Sequence, residues 1–157
     1  MLALTFHQLE ESYAAREVKR VVNELSIPTT EDAVDEVMRF VEKTLKRAGC
    51  DEELIDKCCL VVDEIVSNVV YYAYDGEVGW LSLRLETEKR GSWVRLSFSD
   101  SGKAFNPLVN PEPDVSLALD ARPIGGLGIF LTKTFCDELS YDRVDDLNVL
   151  SVTIGST

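Results

Sequence analysis

The chain has 157 residues, a formal net charge of −12 and a hydrophobic share of 45%. This length fits one domain with a single core, and the acidity argues against binding to nucleic acid or to an anionic membrane surface, because both require clustered Lys and Arg. No apolar run reaches membrane-spanning length and the first residues show no signal-peptide pattern, so we expect a protein without a membrane segment.

The four cysteines show no CxxC spacing, and the single histidine, His7, lies far from them in the sequence. Cys58 and Cys59 are adjacent within helix-like sequence, which favours buried thiols over disulfides and makes a zinc site unexpected. These features predict a cytoplasmic location, where thiols stay reduced.

The N-terminal part of the chain predicts an extension, a strand and a helix. Residues 1–20 have a charged helical pattern with little apolar stripe and are interpreted as an extension, either an interaction arm or a tail; residues 21–157 are the one predicted domain. Residues 21–27 alternate as a strand. Thr29 and Thr30 are then candidate N-caps of a helix that ends at Gly49.

The next helix is predicted to begin at Asp51, whose side chain can cap it, and to be buried on most sides because it is apolar nearly all round. Two alternating strands follow, at residues 81–85 and 94–98, and the turn at residues 89–92 makes them a hairpin. Ser82, Arg84, Arg95 and Ser97 would then lie on the sheet face that the helices leave open.

The C-terminal part predicts a long loop, a helix and a second hairpin. Residues 106–124 contain four prolines and are typical of a lid or binding loop, with a short helical piece at 116–119. The helix is predicted at 128–135, and strands follow at 139–144 and 149–154. This order of elements predicts an α+β two-layer sandwich, in which a mixed, mostly antiparallel sheet is covered by helices on one face.

Glu64 and Asn68 are four residues apart on the strongly apolar helix, so they share one of its faces. A magnesium ion with its waters would satisfy both, because Asn offers a hard carbonyl oxygen and Glu can hold or deprotonate a water or hydroxyl. A solvated helix edge beside Lys57 and Tyr71 is the alternative interpretation.

Two further segments carry glycines where a ligand could approach the backbone. Asp100 ends a strand, and its carboxylate can accept a hydrogen bond from an exocyclic amine while Gly102 admits a flat ring; an ordinary turn is the alternative. Residues 125–128, Gly-Gly-Leu-Gly, precede a helix predicted to begin near Ile129, and such a helix start favours an anion; a flexible loop exit is the alternative. Lys133 is either a phosphate contact or an exposed helix lysine.

Taken together, three segments resemble the ATP-binding boxes of the GHKL ATPases: Glu64-x-x-x-Asn68, Asp100-x-Gly102-x-Ala104 and Gly126-x-Gly128. That superfamily includes sensor histidine kinases, type II topoisomerase subunits, mismatch-repair ATPases and anti-sigma factor serine kinases. The amino-acid sequences of these segments and of the residues around them are most similar to those of the anti-sigma factor serine kinases, and this resemblance extends from about residue 21 to the end.

The resemblance implies a Bergerat-type ATP-binding fold that uses ATP and Mg²⁺. It implies that Glu64 is the general base for a substrate serine, that Asn68 ligates magnesium and that Asp100 binds the adenine amino group. It also implies further cofactor-binding positions: Gly102, Ala104, Gly126, Leu127, Gly128, Ile129, and a last-strand hydroxyl from Ser151 or Thr153. The implied partners are a small anti-sigma factor antagonist as phosphoacceptor and a sigma factor, and relatives commonly form homodimers.

The chain departs from these relatives at two positions. Tyr72 stands where many have histidine, and Ile124 stands where the anti-sigma kinases often have arginine, with Arg122 two residues earlier. Three hypotheses follow: a serine kinase, a non-catalytic ATP-binding regulator whose loop 106–124 gates a partner, and a detached histidine kinase domain. The third ranks last, because His7 lies in no convincing phosphoacceptor helix.

Overall fold

The computed structural model describes residues 19–109 and 126–155, which form a five-stranded sheet and three α-helices. The elements in chain order are β1 (Arg20–Pro28), α1 (Ala33–Ala48), α2 (Glu52–Asn68) continued by a π-helical turn (Val69–Ala73), β2 (Trp80–Glu88), β3 (Trp93–Asp100), a 3-10 turn (Pro107–Val109), α3 (Gly126–Phe135), β4 (Glu138–Val144) and β5 (Leu147–Gly155). The predicted extension up to residue 18 and the predicted helical piece at 116–119 lie outside the described residues.

The sheet has the strand order β1-β2-β3-β5-β4, and each of these four neighbouring pairs is antiparallel. The mostly antiparallel sheet predicted from the sequence is therefore confirmed, and the described strands contain no parallel pair. The β4–β5 hairpin turns at Asp145 and Asp146, which both adopt positive φ (49° and 62°), as a tight two-residue hairpin turn requires. Because β3 pairs with both β2 and β5, Asp100 lies opposite Leu81 on one side and Asn148 on the other.

The two sheet faces differ as the alternation predicts. Buried apolar side chains point toward the helices: Leu81, Leu83, Leu85, Val94, Leu96, Phe98, Val152 and Ile154. The opposite face is open, and Ser82, Arg84, Arg95 and Ser97 lie on it half-buried or exposed. Arg84 there forms ion pairs with Glu24 at 2.6 Å and with Glu86 at 2.8 Å, so its charge is already paired within the sheet.

The helices form the second layer, and α2 packs against α1, α3 and the sheet. The side chain of Asp51 caps α2, because its Oδ1 accepts a hydrogen bond from the Leu54 amide at 2.8 Å, as predicted. Gly49 ends α1 in the left-handed conformation (φ 82°), also as predicted. In the described part of the chain, none of the helices has the length and apolar character needed to cross a bilayer.

Two helix starts differ from prediction because tertiary contacts decide them. The side chain of Thr29 does not cap α1; its hydroxyl accepts a hydrogen bond from the Gly79 amide at 2.8 Å, and α1 begins at Ala33. Helix α3 begins at Gly126 rather than near Ile129. Glycine has a low intrinsic helix propensity, so sequence alone places the start too late, whereas packing of the first turn against α2 overrides that propensity.

Candidate functional site

The Asp100 carboxylate is fixed at the end of β3. Only 8% of the residue is exposed, and its Oδ1 accepts hydrogen bonds from the Gly102 amide and from Asn148 Nδ2, both at 2.9 Å. Its other oxygen, Oδ2, has no hydrogen-bonding partner among the described residues. In that part of the chain every fully buried side-chain oxygen has a partner, so Oδ2 is accessible to solvent. Oδ2 is therefore the oxygen that a bound ligand can reach.

Gly102 packs the turn after β3 directly onto the π-helical turn that follows α2. A Cβ at this position would lie 2.5 Å from the Ala73 carbonyl oxygen and 2.9 Å from Asp100 Oδ1. The turn is also held by the Lys103 amide, which donates to Ala73 O at 2.9 Å, and by Arg143 Nη1, which donates to Gly102 O at 3.0 Å. Glycine is thus required here by close backbone approach.

Tyr74 ties the same turn to the start of β2. Its hydroxyl donates to the Trp80 carbonyl at 2.5 Å and accepts from the Ser101 amide at 3.0 Å. Its ring covers Gly79, where a Cβ would lie 2.1 Å from ring atom Cε1. Tyr74 therefore braces the Asp100 turn from the helix side.

Asn148 is a site residue that the sequence analysis missed. It is 6% exposed, and its side chain bonds Asp100 Oδ1, the Lys103 carbonyl, the Phe105 amide and the Tyr141 hydroxyl. Its spacing from Val152 could have revealed it. Asn148 lies four residues before the buried Val152 in the same strand, so its side chain faces the helix-covered side of the sheet and needs hydrogen-bonding partners there.

The last-strand hydroxyl predicted for the adenine site does not reach it, and this prediction is corrected. Ser151 is paired with Ser97, and their hydroxyl oxygens lie 3.0 Å apart on the open sheet face, opposite to Asp100. The alternative, Thr153, lies on the same open face and accepts a hydrogen bond from Arg95 Nε at 3.2 Å. The place beside Asp100 is occupied by the Asn148 amide instead.

Glu64 lies where α2 meets the first turn of α3. A Cβ built on Gly128 would lie 1.9 Å from Glu64 Oε2, so only glycine lets the two helices approach this closely without moving the carboxylate. Burial raises the pKa of Glu64, with a further contribution from the neighbouring charge of Asp63. The carboxylate has no hydrogen-bonding partner within the described residues, so it is free to interact with a ligand.

Asn68 lies one helical turn beyond Glu64 on α2. It is half-buried, and its side-chain amide has no partner within residues 19–109 or 126–155. These residues contain no cluster of three or more His, Cys, Asp or Glu side chains that could hold a metal ion. Asn68 therefore fits an ion that takes one oxygen from the protein and the rest from phosphates and water, as Mg²⁺ commonly does.

The remaining predicted positions surround this pair. Gly126 and Leu127 lie in the first turn of α3, and Ile129, 6% exposed, anchors that turn in the core. Thr132 donates its hydroxyl to the Gly128 carbonyl at 2.9 Å. Ala104 is exposed beside the Asp100 turn. Lys133 is half-buried on α3, whereas Arg122 and Ile124 lie outside the described residues.

Comparisons with known proteins point to one family. The model of the histidine kinase-like ATPase domain matches residues 27–154. The serine/threonine-protein kinase BtrW of Bordetella bronchiseptica is 29% identical over 133 residues, which is 84% of this chain and 92% of BtrW. The serine-protein kinase RsbW of Staphylococcus epidermidis is 27% identical over 125 residues, 74% of this chain and 76% of RsbW.

A solved structure shows the same fold. It contains the RsbU and RsbW domains of a Mycobacterium tuberculosis protein and superposes with a TM-score of 0.57 at 19% sequence identity. The match covers 85% of this chain and 32% of that longer chain, so it spans about a third of the solved protein. The predicted fold class is confirmed by this likeness together with the family match.

Proposed function

This chain belongs to the histidine kinase-like ATPase domain family, as its three sequence segments predicted, and we propose that it is an ATP-dependent protein-serine kinase of the anti-sigma factor type. The names of BtrW, a serine/threonine-protein kinase, and RsbW, a serine-protein kinase, support this class, since both match most of this chain. The observation that carries the proposal is the half-buried Glu64 carboxylate against Gly128, which puts a base of raised pKa at the N-terminus of a helix.

At the adenine end, Asp100 Oδ2 accepts a hydrogen bond from the 6-amino group of ATP. Gly102 and Ala104 line this end, because the turn after β3 runs beside the carboxylate. The hydrogen bonds from Gly102 and Asn148 hold the carboxylate before ATP arrives, which lowers the ordering cost of binding.

At the phosphate end, the first turn of α3 offers backbone N–H groups to the phosphates. Residues 126–129 supply these groups, and the positive end of the helix dipole adds to the attraction. Asn68 provides the protein oxygen for magnesium, and magnesium, when bound, offsets the negative charge of the phosphates.

The transfer step needs one proton acceptor from the protein. As the seryl oxygen bonds to the γ-phosphorus and the bond to the ADP oxygen breaks, the hydroxyl proton passes to the Glu64 carboxylate. A pKa raised by burial makes the Glu64 carboxylate a better proton acceptor than an ordinary surface glutamate.

The proposed phosphoacceptor is a small anti-sigma factor antagonist, and a sigma factor is proposed as a further partner of a homodimeric kinase. The support is the resemblance of the sequence segments to the anti-sigma factor serine kinases, together with the similarity to RsbW and BtrW. We also propose a cytoplasmic location. Its described cysteines are free, and burial raises the pKa of Cys58 and of Cys136, the latter to about 12, so these thiols are poor nucleophiles.

The test is phosphate transfer from radiolabelled ATP to a purified small anti-sigma factor antagonist in the presence of Mg²⁺. We expect acid-stable label on serine, and Glu64→Ala should lower the transfer rate by about a hundredfold or more while the ATP dissociation constant stays within about threefold. Asp56→Ala is the matched control, because it removes an exposed carboxylate from the same helix.

The alternatives give different results in the same experiment. Tight ATP binding by the wild type without transfer to any antagonist would refute the kinase and support the regulator whose loop gates a partner. Acid-labile label on the chain itself would instead indicate a histidine kinase.

A further inference from the structure

We infer that the outward-facing stripe of α2 beside Glu64 is the surface on which the phosphoacceptor protein docks. The stripe consists of Leu60, Asp63, Ser67 and, in the π-helical turn that continues α2, Tyr71. This inference rests on the proposed kinase function and deepens it, because it names the part of the chain that holds the acceptor protein while its serine reaches the base.

Helix α2 is buried around most of its circumference, so only a narrow strip of it can meet another protein. Its buried side chains are all apolar: Leu54, Ile55, Cys58, Val61, Val62, Ile65 and Val66. Two large apolar side chains nevertheless face outward, since Leu60 is 37% exposed and Tyr71 is 61% exposed. Single exposed apolar residues are common on protein surfaces, but this pair lies on one stripe and brackets the proposed base.

The geometry of the helix places both apolar side chains close to any protein that presents a serine to Glu64. Leu60 lies four residues before Glu64 and Tyr71 seven residues after it, which at about 1.5 Å per residue gives about 6 Å and about 10 Å along the axis. The seryl oxygen has to come within about 3 Å of the carboxylate, and a typical interface buries about 800 Å² on each partner, a patch roughly 30 Å across. A patch of this size around the serine reaches both residues.

The occupant of the stripe is the acceptor protein and not a second copy of this chain. A copy seated on Leu60 and Tyr71 would lie over Glu64 and exclude the substrate from the base, which is incompatible with phosphate transfer. The exposed Asp63 carboxylate lies between the two apolar side chains along the helix, and when it is covered it needs a hydrogen-bond donor. The matching surface of the acceptor protein is therefore apolar on both flanks, with a donor group beside its serine.

The experiment measures phosphate transfer at saturating ATP and Mg²⁺ over a range of antagonist concentrations, with the full chain as wild type, Leu60→Ala and Tyr71→Ala. Each variant should raise KM for the antagonist by about fivefold or more, because an apolar anchor is lost. The value of kcat and the ATP dissociation constant should stay within about twofold, since neither side chain takes part in the chemistry. Leu147→Ala is the matched control, because Leu147 is 40% exposed on β5, away from α2, and its loss should leave KM unchanged.

Each contrary outcome has a distinct meaning. If the wild type transfers no phosphate to the antagonist, the proposed kinase function fails and the inference fails with it. If the wild type transfers phosphate and both variants keep its KM, only the inference fails. A change from dimer to monomer in sedimentation of both variants would assign the stripe to a second copy and refute the inference. If thermal melting shows Leu60→Ala unfolded, Leu60→Gln, which keeps the side-chain volume, takes its place and should raise KM in the same way.

Discussion

Replacing Gly128 with alanine tests the contact between α2 and α3 on which the proposed chemistry depends. The added Cβ would lie 1.9 Å from Glu64 Oε2, 2.7 Å from its Cδ and 3.2 Å from its Cβ. The carboxylate can rotate away, but to reach an ordinary contact of about 3.4 Å it has to move by roughly 1.5 Å. We expect this displacement to lower the free energy of unfolding by about 1–2 kcal/mol, as overpacking does elsewhere.

The same displacement should reduce catalysis more than stability. A general base contributes about a hundredfold or more to rate, and a misplacement of about 1 Å can remove much of that contribution. Gly128→Ala should therefore lower the maximal transfer rate from ATP to the antagonist by about a hundredfold. The rate is measured at saturating ATP, because the variant alters the proposed phosphate-binding turn and should also weaken nucleotide binding.

A double-mutant cycle separates the clash from other effects. In the Glu64→Ala background the carboxylate is gone, and alanine is favoured over glycine in a helix by about 1 kcal/mol. The added Cβ still lies 3.2 Å from the Cβ at position 64, so Gly128→Ala should be clearly less destabilising in this background than in the wild type, as measured by urea unfolding followed by circular dichroism. Equal destabilisation in both backgrounds, or a wild-type transfer rate for Gly128→Ala, would refute the proposed contact.

Four further outcomes follow from the site. Because burial raises the pKa of Glu64 and the base acts only when ionised, the transfer rate should fall as pH drops through a value above the usual glutamate range; a rate that is flat across that range contradicts this role. The raised pKa also means that the ionised Glu64 side chain destabilises the folded state. Glu64→Gln should therefore raise the melting temperature at neutral pH, but not at a pH below the usual glutamate pKa, where the side chain is protonated in both states. Tyr74→Phe removes the acceptor of the Ser101 amide and should cost about 1–2 kcal/mol in urea unfolding and weaken ATP binding, and an unchanged midpoint would show that this brace is dispensable. Ser151→Ala should leave the ATP dissociation constant within about twofold, because the hydroxyl bonds Ser97 on the open face, and a tenfold loss would restore the original prediction for Ser151.

The fold was predictable where its signals are local. Apolar and polar residues alternate over 81–85 and 94–98, which identifies two strands because successive side chains of a strand point to opposite faces. The helix after Asp51 is apolar nearly all round, which predicts that it is buried. Helix starts are less predictable, since distant partners decide them. Thr29 has the right chemistry for a cap, yet the Gly79 amide, fifty residues away, takes its hydroxyl.

The site was predictable in its motifs but not in its register. Glu64 and Asn68 share a helix face at any register, so their neighbourhood follows from spacing alone. Which last-strand residue faces Asp100 depends on the pairing of β3 with β5, and the adjacent apolar residues Val149 and Leu150 leave the inward parity of β5 ambiguous. Because side chains alternate between the two faces of the sheet, choosing the wrong set of alternate residues in β5 placed Ser151 beside Asp100, where Asn148 lies.

The two ends of the site are built differently, and this difference has a kinetic consequence. The Asp100 end is held by hydrogen bonds from Tyr74, the turn after β3, β4 and β5, so it is rigid before a ligand binds, and changes there act on ground-state affinity. The Glu64 end depends on the close contact with Gly128, and in the proposed mechanism its carboxylate acts only as the proton leaves the hydroxyl. Variants of Asn148 should accordingly change KM for ATP with little change in kcat, whereas variants of Gly128 should change kcat most.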